Sequence, residues 1–174
     1  MEKLNLVEPS KAYINQIQSY LSEFENQLES LHGGCGLQEI KDAEAWLVYL
    51  ERFKHEDTVP EGRVISSEYM CVREKDQQVV GLINIRHKLN DDLLFVSGHV
   101  GYSIRPSERL KGYAHEQLRL ALNVCDQLGI NPILITCNKD NEASRRTILK
   151  AHGIKENEVV EEDRNIVERY WIYR

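Results

Sequence analysis

Apolar residues recur along the chain with two different periods. Ile14, Ile17, Leu21, Phe24, Leu28 and Leu31 follow one another at steps of three and four, the spacing of one helical face, and Gly33-Gly34 predicts the end of that helix. A short strand, Leu4 to Val7, precedes it, closed by Pro9 and by Ser10 as a candidate cap. Ala43, Trp46 or Leu47, Leu50 and Phe53 predict a second helix before the polar stretch around Asp57. From Val64 the texture changes to short β-branched and aromatic runs. Tyr69 to Val72 and Val79 to Ile85, separated by the polar turn Glu74 to Gln77, read as an antiparallel hairpin. After the turn at Asn90-Asp91-Asp92, Leu94 to Val96 and Val100 to Ile104 read as a third strand of the meander, interrupted near Gly98.

The helical period then returns. Ala114, Leu118, Ala121, Leu122, Cys125 and Leu128 share a face, and Gly129 is placed to end the helix in a left-handed cap. The run Ile133 to Thr136 follows, so Val100 to Ile104, the helix and Ile133 to Thr136 make a βαβ unit, which implies a parallel pair. A last helix near residues 143–152 ends at Gly153, and Val159-Val160 with Ile166 to Tyr173 read as closing strands. The chain of 174 residues shows no repeat or linker, which predicts one domain of the mixed α/β, or α+β, class.

Composition narrows the function classes. Twenty-eight acidic residues against 22 Lys and Arg give a net charge of -6, so long-range attraction to nucleic acid or an anionic membrane is not expected, and any anion site must be local. The opening residues lack the apolar stretch of a signal peptide, which predicts a cytoplasmic protein. Cys35, Cys71, Cys125 and Cys137 form no Cys-x-x-Cys pair and do not alternate with His at ligand spacing, so no metal site and no disulfide framework is predicted.

Candidate chemistry concentrates between the end of a buried strand and the start of a helix, in Ile104 to Ala114. The first turn of a helix presents unpaired N–H groups and partial positive charge, so main chain alone can bind a phosphate there. Gly112 allows close approach. Arg105, Arg109 and Lys111 against Glu108 give a local charge of +2, an arrangement suited to a diphosphate.

These residues resemble the GNAT superfamily of acyl-CoA-dependent N-acetyltransferases, whose Arg/Gln-x-x-Gly-x-Gly/Ala signature is matched by Arg109-Leu110-Lys111-Gly112-Tyr113-Ala114. A second match follows in Ile133 to Thr136, Asn138 to Ser144 and a helix ending at Gly153-Ile154, so the resemblance covers about residues 96–154. It implies a mostly antiparallel sheet with helices on both faces, whose parallel pair splays to admit acetyl-CoA. By that resemblance the backbone of Tyr102, Ser103 and Ile104 pairs with the pantetheine arm, and the amides of Arg109, Leu110, Lys111, Gly112, Tyr113 and Ala114 hold the pyrophosphate. Asn138, Asn141 and Ser144 lie at the pantetheine or ribose-phosphate end.

The implied reaction moves an acetyl group to a primary amine of a small molecule or peptide by direct attack in a ternary complex. It requires a base for the amine, a donor such as a backbone N–H near Ser103 or Ile104 for the carbonyl, and an acid for the departing thiolate. His99 and His87, with Glu68 as a third, are the candidate bases. Where many members carry a Tyr four residues before the final Gly, this chain has Leu149, so Tyr102, Ser144, Tyr170 and Tyr173 stand as candidate acids. Cys71 and Cys137 as acyl acceptors lack a sequence-adjacent base. A non-catalytic acyl-CoA sensor is the alternative, and a mononucleotide-binding protein a third. Tyr170, Trp171 and Tyr173 serve either a homodimer contact or the core.

Overall fold

The computed structural model describes residues 2–174. Strands β1 (Leu4–Val7), β2 (Ser66–Arg73), β3 (Gln78–Arg86) and β4 (Val100–Ile104) form one antiparallel sheet in chain order. Strands β5 (Ile133–Asn138), β6 (Ile154–Val160) and β7 (Ile166–Ile172) form a second antiparallel sheet with β7 in the middle. Helices α1 (Ile14–Gln27), α2 (Leu37–Ile40) and α3 (Ala43–Glu51) precede β2, α4 (Tyr113–Gln127) joins β4 to β5, and α5 (Glu142–Lys150) follows β5.

Two core layers sandwich the first sheet, because alternate residues of a strand face opposite ways. Leu82, Met70 and Val72 meet Ile17, Tyr20, Phe24 and Trp46 from α1 and α3. Ile83 and Ile85 turn the other way, to Leu118, Leu122 and Ile148 of α4 and α5, and the same cluster takes in Ile133 and Ile135. A register shift at Cys71/Val72 lets Val79 join Leu82 on the α1 side despite the odd spacing. The outer strand β6 is exposed almost throughout, and its charges protect the edge: Lys155 bonds Glu158 and the buried Glu168.

The splay of the β4–β5 pair is carried to full separation: among the described residues no ladder joins them. They meet at one joint. His99 N–H donates to the Leu134 carbonyl at 2.8 Å, and the Leu134 N–H donates back to His99 Nδ1 at 2.9 Å. Beyond that joint both strands lead away from each other toward α4 and α5, and a cleft opens between them.

Four local expectations change. The first helix ends at Leu28, which adopts a left-handed conformation at φ 53° and stands exposed, rather than at Gly33. Helix α2 adds a single turn, which the sequence did not predict, between the two early helices. The segment Leu93–Ser97 is a π-helical turn and not strand, with Asn90 Oδ1 accepting from the Leu93 N–H at its start. Ser10 makes no side-chain cap bond; its carbonyl accepts from Tyr13 instead.

Candidate active site

The cleft between β4 and α5 has a volume of about 600 Å³ and runs from Tyr102 past the first turn of α4. Ten of the sequence-predicted residues line it: Tyr102, Ser103, Ile104, Arg109, Leu110, Gly112, Tyr113, Ala114, Asn141 and Ser144. Lys111 and Asn138 do not.

Gly112 caps α4 in a left-handed conformation at φ 83°, with no side-chain cap bond, so the turn opens toward the cleft. Among the described residues no protein acceptor takes the N–H groups of Leu110, Lys111, Gly112, Tyr113, Ala114 or His115. A run of six amides without a protein acceptor at a helix N-terminus can serve as an anion cradle. The side-chain cations do not add the free charge that the sequence suggested. Arg105 is paired with Glu23 at 3.1 Å, Arg109 Nη1 with Glu29 at 3.0 Å and Lys111 with Glu108 at 2.7 Å. The cradle is therefore a main-chain site, buttressed by neutralised side chains.

Strand β4 offers its open edge to the same cleft. The Arg105 N–H donates to Val80 and the Arg86 N–H to the His99 carbonyl, both 2.8 Å, so odd-numbered residues bond β3 and the backbone groups of Tyr102 and Ile104 face away from it. The Ile104 carbonyl accepts from Arg109 Nε at 3.3 Å, consistent with that direction. The Ser103 N–H is turned to Leu82 and is not a donor to the cleft. The Tyr102 hydroxyl lies 2.9 Å from Ser144 Oγ, and burial pushes its pKa up to about 12. Asn141 Oδ1 caps α5 by accepting from the Ser144 N–H at 3.0 Å, and Asn138 Oδ1 accepts from Asn165.

A smaller cavity of about 230 Å³ continues the cleft past Tyr102, Asn141 and Ser144, lined also by Asn138, Arg86 and Gly101. His32 lines the cleft, this cavity and the larger one beyond it. Its position is set by the α1–α2 loop: a Cβ on Gly33 would fall 2.4 Å from the Gly101 carbonyl oxygen and 2.6 Å from the Tyr102 Cα, so only glycine lets the loop lie on β4. The Trp46 indole N–H holds the Gly34 carbonyl at 2.8 Å, and Gln38 bridges Leu31 and Glu29.

The other catalytic candidates lie elsewhere. His99 is buried in the joint, accepting from Leu134, and burial with the nearby Arg86 charge lowers its pKa to about 4. His87 bonds Ser67 at 2.8 Å in a separate cavity shared with Glu68. Neither histidine reaches the cleft, because the joint and the β2–β3 end claim their rings. Tyr170 donates to Glu168 within the core, Tyr173 is exposed, and Leu149 lines none of these cavities. Burial raises the Cys71 and Cys137 thiols to about 12 and about 11, which opposes a thiolate acyl acceptor. His32 was missed because nothing near it in sequence places it against β4; the adjacent Gly33-Gly34 is the feature that could have.

The chain matches the family described as acetyltransferase (GNAT) domain over residues 5–154. None of the curated proteins matches it. Among solved structures it is similar to a ribosomal-protein-S5-alanine acetyltransferase from Vibrio fischeri, at 15% identity and a TM-score of 0.70, covering 98% of this chain and 91% of that one. RimJ from Mycobacterium smegmatis, in complex with CoA-disulfide, superposes at 16% identity and a TM-score of 0.72, covering 98% and 81%. A spermidine N-acetyltransferase SpeG chimera from Vibrio cholerae and hSSAT does so at 16% and 0.67, covering 98% and 94%. These likenesses extend to the fold.

Proposed function

The chain belongs to the GNAT acetyltransferase family, and we propose that it moves an acetyl group from acetyl-CoA to a primary amine of a small molecule or peptide by direct attack in a ternary complex. The observation that carries this reading is the cradle of six unpartnered amides at the start of α4, opening past the free edge of β4 onto a cavity reached by His32. Cleft and edge fit a pantetheine diphosphate: the amides at Leu110 to His115 would hold the phosphates, and Tyr102 and Ile104 would bond the arm as an added strand. Bound there, acetyl-CoA supplies an activated acyl thioester.

The residues of the chain then divide the work. His32 takes the proton that the amine loses on attack. The Tyr102 N–H, turned to the open edge, points to where a carbonyl oxygen can be polarised. The Tyr102 hydroxyl, kept protonated by burial and oriented by Ser144, gives a proton to the departing sulfur. Four free thiols, three of them buried, fit work in the reducing cytoplasm.

Thiol release from acetyl-CoA on a panel of polyamines, amino acids, aminoglycosides and peptides tests the reading. At least one amine is turned over, and His32→Ala lowers kcat by about 100-fold or more while the KM for acetyl-CoA stays within about threefold. Tight binding of CoA without thiol release on any amine points to a sensor instead.

A further inference from the structure

A cavity of about 910 Å³ lies beyond the cavity of about 230 Å³ that would seat the acceptor amine, the amine pocket, and is lined by Arg63, Arg86, Ser66 and Asn84. Arg86 also lines the amine pocket itself. Its Nη1 donates to the carbonyls of Ser97 at 3.2 Å and Gly98 at 3.0 Å, which fixes the plane of the guanidinium and leaves its charge uncompensated. Among the described residues no carboxylate forms an ion pair with Arg86 or Arg63, and Nη2 and Nε of Arg86 have no protein acceptor, whereas Arg105, Arg109 and Lys111 are each matched by a glutamate.

The acidic groups nearby do not fill the gap. Glu39 and Asp92 line the same cavity as exposed residues, while Arg86 is half-buried. Burial pushes the Glu68 carboxyl well above the usual carboxylate range, which favours its neutral form. A partly desolvated guanidinium with free donors and no counter-ion is a ready carboxylate site.

Its distance from the amine site is short. A Cβ on Gly101 would lie 3.4 Å from Arg86 Nη2 and 3.5 Å from the Gly33 nitrogen, so the guanidinium and the loop that carries His32 meet over one point of β4. His32 and Arg86 line the same two cavities, so one small molecule can present an amine to the first and an anion to the second. A free amino acid carries both groups, whereas the N-terminus of a peptide presents a neutral amide where the carboxylate would be.

We propose that Arg86, with Arg63 at the cavity mouth, binds the carboxylate of the acceptor, so that the amine acetylated belongs to a free amino acid or a close amino-carboxylate analogue. This rests on the acetyl-transfer reading, and its test separates the two. Initial rates with acetyl-CoA are measured on the standard amino acids, each beside its carboxamide, and on aminoalkylphosphonates. In parallel, calorimetry titrates the CoA-loaded protein with N-acetyl amino acids and with their amides.

The best amino acid is favoured over its amide by at least about 30-fold in kcat/KM, as a charge-assisted bidentate contact allows. Arg86→Gln collapses that ratio to below about threefold with CoA affinity retained, and Arg63→Gln, at an exposed position, lowers it by about threefold or more. Amides accepted as well as acids, or phosphonates preferred to both, overturn the proposal. Should no amine be acetylated, the acetyl-transfer reading fails, and the calorimetric arm still decides. N-acetyl amino acids binding more tightly than their amides supports the carboxylate site, and equal or absent binding overturns it.

Discussion

In the proposed reaction Tyr102 serves twice, because its main chain faces the open edge of β4 while its ring turns toward α5. Burial holds the phenol at about 12, above its ordinary value of 10.0, so it remains a proton donor throughout the neutral and mildly alkaline range. Tyr102→Phe is expected to lower kcat by about 10- to 100-fold with little change in the KM for acetyl-CoA, measured by steady-state thiol release. In the wild type the rate should show no alkaline decline attributable to this group up to about pH 10, because deprotonation begins only as pH approaches the raised value. An alkaline limb near pH 10 that disappears in the Phe variant would assign it an unshifted phenol. Tyr102 was legible in the sequence as a residue within the strand before the glycine signature. His32 was not, since its place depends on Gly33 touching Gly101, a contact between segments far apart along the chain.

The N-terminal turn of α4 works as a unit of main-chain donors, which separates the effects of its side chains. Gly112→Glu places a carboxylate among amides and forces a side chain onto a left-handed φ of 83°, so CoA affinity should fall by about 100-fold or more. Lys111→Ala, whose side chain lies outside the cleft and is bound to Glu108, should change it by less than about threefold, both read by fluorescence displacement. The strand, turn and helix that present these amides were readable from periodicity and from one glycine. The charge balance was not: Glu23 and Glu29 come from α1 and the loop after it, and their pairing with Arg105 and Arg109 is decided by packing alone. The stretch Leu93–Ser97 was misread for a related reason. Its apolar run suits a strand, yet Thr136 Oγ1 donates to the Val96 carbonyl and Arg86 to Ser97 and Gly98, which draw the segment into a turn against β5.

At the scale of the molecule, two antiparallel sheets diverge from a joint at His99 and Leu134, and the space they leave is the candidate active site. The joint depends on a neutral imidazole, since Nδ1 accepts from the Leu134 N–H. Burial lowers the His99 pKa from 6.5 to about 4, so the stability it contributes is complete above the ordinary value and is lost as pH falls from about 6.5 toward 4. Thermal unfolding of the wild type should therefore lose stability across that window, and His99→Gln should flatten this part of the profile; equal acid sensitivity in both would place the titration elsewhere. The alternation of apolar runs revealed the strands and the main helices, but a single mixed sheet was expected; that the strands divide into two sheets and the parallel pair shares no ladder was not legible, because separation is set by what the strands pack against and not by their own residues. Among the described residues no helix is long and apolar enough to cross a membrane. The proposed function depends on main-chain amides gripping the diphosphate of a pantetheine carrier. Calorimetric titration with coenzyme A and with pantetheine, which lacks the diphosphate, tests this most directly. Saturable one-to-one binding of coenzyme A, at least about 100-fold tighter than that of pantetheine, is the predicted result; no heat with coenzyme A, or equal affinity for the two, would contradict it.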